Sequence, residues 1–216
     1  MDDDAAHWDE AYRKQGRLWG GMARDLPALP SGSRVLELGC GSGKTFFALL
    51  GRGAEVIGID FSVPAVSLAA SLVAREDNGY VAIADTRRLP FAAGSFDVVT
   101  AMHVIGHMPA HDRERIRREL ARVLCDRGLL WFTGFSCDDF RAGKGLMVEP
   151  GTFERETGIR THYFTEYEVR DLFSGVFEGT VDTRQWFIRV RGTMYRRVEI
   201  VGAFRKPPGT LAAPKE

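Results

Sequence analysis

The sequence predicts an α/β chain built on a doubly wound sheet, and three observations carry that reading. Between positions 34 and 205, short β-rich runs alternate with helical stretches, the order in which crossover helices join parallel strands. The run 129–135 (LLWFTGF) is almost wholly apolar, as expected of a strand covered by helices on both faces. Two longer β runs, 180–190 and 194–204, follow the last helix with little chain between them, which reads as a closing hairpin.

Each element has its own signal. Arg34–Leu38 (RVLEL) is a strand ending in glycines, and 45–50 is a helix stopped by Gly51 and Gly53. The second strand is 55–59 (EVIGI). Ser62 then caps a helix with Pro64 in its first turn and an apolar run reaching position 74. Positions 80–84 (YVAIA) and Phe96–Met102 (FDVVTAM) read as strands three and four. In 112–124 the apolar Ile116, Leu120, Val123 and Leu124 share one helix face. Arg113, Arg117, Arg118 and Arg122 lie off it and are expected in solvent. Gly128 precedes the fifth strand, and 165–173 is the last helix. Positions 136–163 show no strong periodicity and read as a long loop covering the ligand side of the sheet. The segment from Arg205 through Gly209 to Glu216 is low in complexity and expected to fray.

Composition narrows the class. The 216 residues are 44% hydrophobic and 27% charged, the profile of a globular chain. Lys plus Arg and Asp plus Glu are both 29. A zero net charge argues against nucleic acid as the partner, because a basic excess normally supplies that affinity. Cys40, Cys125 and Cys137 are widely spaced and form no metal-ligand grouping, so neither a disulfide framework nor a metal site is expected. The acidic start Met1-Asp2-Asp3-Asp4 is the reverse of a secretory leader, and the apolar stretch 61–74 is too short to span a bilayer. A cytoplasmic protein without membrane attachment is the expectation.

The segment Glu37-Leu38-Gly39-Cys40-Gly41-Ser42-Gly43-Lys44-Thr45 carries the chemistry. Glycines directly after a buried strand let the backbone turn sharply and approach a ligand closely. Three ligand types use such a loop. Gly43-Lys44-Thr45 supplies the end of a phosphate-binding P-loop, but the first glycine of that pattern falls on Leu38. The dinucleotide pattern G-x-G-x-x-G fails because Gly43 comes one position early.

The third ligand type fits. Strand, E-x-G-x-G-x-G and helix together resemble motif I of the class I S-adenosylmethionine-dependent methyltransferases. The resemblance continues through strand-ending Asp60 and Asp85, through Leu89-Pro90-Phe91 and Gly94-Ser95-Phe96-Asp97, and through Arg127-Gly128-Leu129-Leu130. It covers about positions 35–135 and implies a Rossmann-like, mostly parallel seven-stranded sheet with a C-terminal antiparallel hairpin. S-adenosylmethionine is the implied cofactor. Asp60 would accept from the ribose hydroxyls with Phe61 beside it, and Asp85 with Thr86 would meet the adenine. Glu37, Gly39, Cys40 and Gly41 would line the methionine end, with His103 near it.

His107, in Ala101-Met102-His103-Val104-Ile105-Gly106-His107 after the fourth strand, is the candidate catalytic base. Ahead of the sheet, His7-Trp8-Asp9-Glu10-Ala11-Tyr12 and Leu18-Trp19-Gly20 resemble the N-terminal lid of small-molecule members, of the thiopurine and tellurite-resistance kind. Tyr12 and Trp19 would offer π faces to the sulfonium. His162 and Tyr163 are the candidate acceptor contacts. Arg189, Arg191, Arg196 and Arg197 could mark an anionic ligand, with exposed strand positions the simpler reading. The division expected is 1–30 as lid, 31–206 as methyltransferase domain with 136–163 inserted, and 207–216 as tail. Methyl transfer to a small-molecule acceptor is the predicted function. The alternatives are a non-catalytic sensor of the same cofactor and a P-loop-like nucleotide hydrolase.

Overall fold

A computed structural model describes residues 3–18, 26–73 and 76–210. Seven strands form one sheet in the order β3-β2-β1-β4-β5-β10-β9. These are β1 (Arg34–Leu38), β2 (Glu55–Asp60), β3 (Gly79–Ile83), β4 (Phe96–Met102), β5 (Leu124–Phe135), β9 (Glu178–Val190) and β10 (Thr193–Arg205). The first five run parallel, and β10 runs antiparallel to both of its neighbours, β5 and β9. The chain reverses direction beside β1, between β1 and β4, which opens a crevice at the carboxyl ends of the strands.

Period-two alternation divides the core between two faces. Leu36 and Leu38 of β1 join Val99 and Ala101 of β4 and Leu130 and Phe132 of β5 on one face. Helices α4 (Ala110–Val123) and α5 (Glu166–Phe173) cover that face through Ile116, Leu120, Val169 and Phe173. Val35, Val56 and Val98 point the other way, onto Phe46, Leu49 and Leu50 of α2 (Lys44–Leu50). α3 (Val63–Val73) buries Ala65, Val66, Ala69 and Val73. α1 (Asp3–Gln15) packs against α3 at the crevice. A capping box starts α5: the Thr165 hydroxyl accepts from the Glu168 N–H, and the Glu168 carboxylate accepts from the Thr165 N–H.

Three expectations need correction. Residues 136–163 are not a plain loop. They hold β6 (Leu146–Glu149), β7 (Thr152–Glu154) and β8 (Arg160–His162), an antiparallel three-stranded sheet. Strands of three or four residues are too short for alternation to register in sequence. Arg113 is not on a solvated face. It is buried, with Nε donating to the Met108 carbonyl at 3.0 Å and Nη2 to Thr152 Oγ1 at 3.1 Å. It ties α4 to β7, whereas Arg118 is exposed as expected. The last correction concerns Arg205 and Lys206. Arg205 ends β10, and Lys206 is buried with its ammonium donating to the Leu124 carbonyl at 2.9 Å; residues 211–216 lie outside the described part. Among the described residues, no helix is long and apolar enough to cross a membrane.

Candidate active site

A cavity of about 1220 Å³ opens over the carboxyl ends of β1, β2 and β4. It is larger than the range of roughly 300–1,000 Å³ typical of a site for one small ligand. Its two ends are built differently.

At one end, the chain leaving β1 turns through Gly39 at φ +60° and Gly41 at φ +53°. A Cβ on Gly39 would meet Val104 Cγ2 at 2.7 Å, and one on Gly41 would strike the Tyr12 hydroxyl. Both the backbone angle and the space therefore demand glycine. The Asp60 carboxylate accepts the Gly41 N–H and the Ser62 N–H, each at 2.9 Å. That arrangement fixes the loop across the ends of β1 and β2. Burial raises the Asp60 pKa against the pull of these N–H groups.

Glu37 is buried in the same wall, and its Oε2 has no hydrogen-bond partner. Burial, followed by the Asp60 charge, pushes its pKa well above the carboxylate range, while a Thr45 hydrogen bond opposes this. A buried acceptor left open in a cavity wall is a place for a ligand donor or cation. Cys40, Phe61, Tyr12 and His103 also line the cavity. Burial raises the Cys40 thiol and Tyr12 phenol pKa values, so neither is an ionised nucleophile.

The other end lies under α1, the β6–β8 cover and the β9–β10 hairpin. His103 follows β4 in the left-handed region at φ +56°, a costly conformation for a residue with a side chain. Its ring stacks on Phe135 at 4.2 Å, and its Nε2 lies 3.0 Å from Glu199 Oε2 on β10. His107 sits in a 3-10 turn, Ile105–His107, with Nδ1 2.6 Å from the Arg160 carbonyl and the ring edge-on to Trp8 at 4.9 Å. Because the carbonyl can only accept, Nδ1 carries the proton. Burial lowers the His107 pKa to about 4, which makes it a weak base.

The structure does not bring every expected residue to the cavity. Asp85 and Thr86 are absent from its lining. The Asp85 carboxylate is instead held by Arg87, whose Nε donates at 2.9 and 3.0 Å and whose backbone N–H donates at 2.8 Å. Its neighbour Thr86 is buried with its hydroxyl unpartnered. His162 is also off the lining. It is buried in the cover, with Nδ1 2.8 Å from Thr152 Oγ1 and its ring edge-on to Phe164. Tyr163 does line the cavity, and Trp19 lies outside the described residues.

Sequence reasoning missed Arg141, Arg155, Arg184 and Trp186, and placed Arg197 most simply among exposed strand positions. All five line the cavity. Arg197 is buried, while Arg189, Arg191 and Arg196 are exposed. Only the alternation of β10, which puts Arg197 and Glu199 on the same face, was available as a signal.

The fold and this site define a Rossmann-like domain with a glycine loop at the carboxyl edge of its sheet, in the wall of a cavity that runs beneath the β6–β8 cover. Comparison with known proteins gives the family. Residues 36–132 match the model of the methyltransferase domain. The chain is 30% identical over 217 residues to 27-O-demethylrifamycin SV methyltransferase of Amycolatopsis mediterranei, a match spanning 98% of this chain and 71% of that one. It is 28% identical over 201 residues to tRNA N(3)-cytidine methyltransferase METTL2 of Gallus gallus, covering 86% of this chain. It spans 54% of that relative's length. A solved S-adenosylmethionine-dependent methyltransferase from Methanosarcina mazei superposes with a TM-score of 0.69 at 26% identity, covering 83% of this chain and 94% of that one. The chain belongs to the class I S-adenosylmethionine-dependent methyltransferases.

Two consequences follow. The cofactor of the family is S-adenosylmethionine, and Glu37, Gly39, Gly41 and Asp60 form a wall that suits it: an open buried carboxylate and a loop with no Cβ in the way. The expectation that nucleic acid plays no part is overturned, because tRNA methyltransferases stand among the relatives. Zero net charge describes the whole chain and does not govern a local surface.

Proposed function

We propose that this chain transfers a methyl group from S-adenosylmethionine to a small organic acceptor held beneath the β6–β8 cover. The observation that carries the reading is the continuity of the two chambers: the glycine-loop wall and the His103–Glu199 pair line one cavity. The match to the rifamycin-type enzyme along 98% of this chain supports a small acceptor. When bound, the cofactor supplies an activated methyl on a cationic sulfur, which leaves as a neutral thioether.

The protein's contribution is alignment and exclusion of water, worth roughly 7–11 kcal/mol when the reacting atoms are in line. Glu37 and Asp60 take up donor groups and positive charge. α1, with Trp8 and Tyr12 in the lining, acts as lid. His103 takes the acceptor proton in this reading. Glu199 accepts its Nε2–H, which leaves the Nδ1 lone pair without a hydrogen-bond partner. His107 keeps its Nδ1 proton on the Arg160 carbonyl and holds the cover against the 3-10 turn.

A second reading is methylation of a tRNA base, favoured by the METTL2 relatives. Isotopically labelled donor, incubated with a panel of hydroxy- and amino-arenes and separately with tRNA, tests both. Label in a small product supports the first reading, and label in tRNA alone replaces it with the second. Calorimetry with ATP–magnesium checks the nucleotide alternative: nucleotide binding without binding of the methyl donor would overturn both.

A further inference from the structure

The charges along the cavity wall are sorted by end. The cofactor end carries Glu37 and Asp60 against Lys44. The acceptor end is lined by four arginines: Arg141, Arg155, Arg184 and Arg197. The acids facing them are already engaged. Asp139 is buried, with Oδ2 accepting Arg197 Nε at 2.7 Å and the Val198 N–H at 3.0 Å, and Oδ1 accepting the Arg141 N–H at 3.1 Å. Glu199 is taken by His103. Among the described residues, neither Arg141 nor Arg155 forms an ion pair with a carboxylate. Among the described residues, the Arg155 guanidinium donates to neutral oxygens, the Arg141 carbonyl at 3.1 Å and the Tyr163 hydroxyl at 3.2 Å.

Like charges drawn together inside a cavity repel, and burial adds to the cost. Arg141 shows both effects: burial first, then Arg197, lower its pKa, with the nearby Asp139 charge opposing them. The same wall is aromatic. The Arg197 guanidinium lies 4.5 Å from the Phe135 ring centroid and 5.7 Å from that of Trp186, and Tyr163 lies 6.3 Å from Phe135. Flat π faces beside guanidinium forks match a ligand that is planar at one end and anionic at the other.

We propose that the acceptor is a planar arene bearing a carboxylate or phosphate, its ring lying among Phe135, Tyr163 and Trp186 and its anionic group taken by Arg141 and Arg155. Phe135 touches both His103 and Arg197, so the same ring places the nucleophile near the base and the anion near the cations. The inference rests on the methyltransferase reading and names the substrate class of that site.

Calorimetry on the protein saturated with S-adenosylhomocysteine tests it, with 4-hydroxybenzoate, 4-hydroxyphenyl phosphate and neutral 4-hydroxybenzamide as probes. At least one anionic probe should bind tenfold or more tightly than the amide, and the tighter of the two identifies the group. Arg155→Gln and Arg141→Gln should each erase that preference while affinity for S-adenosylhomocysteine, the folding control, is retained. Equal binding of anion and amide would overturn the proposal. So would a preference that survives both substitutions, or binding of tRNA with no binding of any aryl anion. Failure to bind S-adenosylhomocysteine at all would instead overturn the methyltransferase reading beneath it.

Discussion

The glycine-loop end and the covered end of one cavity, the proposed cofactor and acceptor ends, are made by different means. The first is largely backbone: positive-φ glycines, N–H groups on Asp60 and a buried acid, contributed by β1, β2 and the loop between β1 and α2. The second is side chains drawn from β4, the β6–β8 cover and the distant hairpin. A backbone site tolerates few residue types at each position and leaves a motif. A side-chain site requires only that reach and charge be right, and it leaves almost none. The contrast predicts that substitutions at the first end act on any ligand-binding property directly, and those at the second act on acceptor choice or on the anchoring of the cover.

The largest effect should come from the backbone end. Gly41→Ala adds a Cβ against the Tyr12 hydroxyl at a positive φ; strain and collision of this kind should weaken donor binding by about 100-fold. Calorimetric affinity within a few-fold of the parent would break the comparison. Inside the β6–β8 cover, His162 is buried neutral with its pKa lowered to about 4, by burial and then by Arg113. Its folded pKa lies below its unfolded value near 6.5, so the unfolded chain binds the proton more tightly. The resulting stability is complete above pH 6.5 and is lost as pH falls toward 4, on the order of 3 kcal/mol. His107, also depressed to about 4, adds its own loss over the same window. Denaturant titrations should show the loss, and His162→Gln should remove only the His162 share of it.

Asp60→Ala removes the acceptor of the Gly41 and Ser62 N–H groups and should weaken donor binding by about 1.5–3 kcal/mol. An unchanged dissociation constant in a folded variant would remove Asp60 from the site. Glu37 gives a subtler test. Its pKa is raised in the free protein, and a cationic donor favours the ionised form, so donor affinity should rise as pH increases through that pKa. Glu37→Gln should abolish the dependence. The smallest effect is expected at Asp85, which is committed to Arg87 away from the cavity. Asp85→Asn should change donor affinity by no more than about twofold, and a tenfold loss would return it to the site.

The same division explains what could be read in advance. β1 and β4 were legible to the residue, because a buried strand bounded by glycine or turn residues has a local signature. Glu37, Gly39, Gly41 and Asp60 were legible as neighbours in the cavity wall because a glycine turn between strand-ending acids has a fixed order of residue types. Asp85 resembled Asp60 in sequence, each an acid closing a strand. The difference is a neighbour: Arg87, two positions on, captures the Asp85 carboxylate, whereas the Asp60 carboxylate accepts from backbone N–H groups. His103 and His107 sit four residues apart in the same segment, and nothing local ranks them. Glu199 pairs with one and the Arg160 carbonyl with the other, across strands far away in the chain.

The sequence by itself determined the seven-stranded sheet, its helices and the glycine loop in the cavity wall, because periodicity and glycine backbone requirements are local properties. Tertiary structure alone decided which histidine meets a carboxylate, which arginines turn inward and which acid stays out of the cavity. Those outcomes depend on burial and on partners that only folding brings within hydrogen-bonding distance.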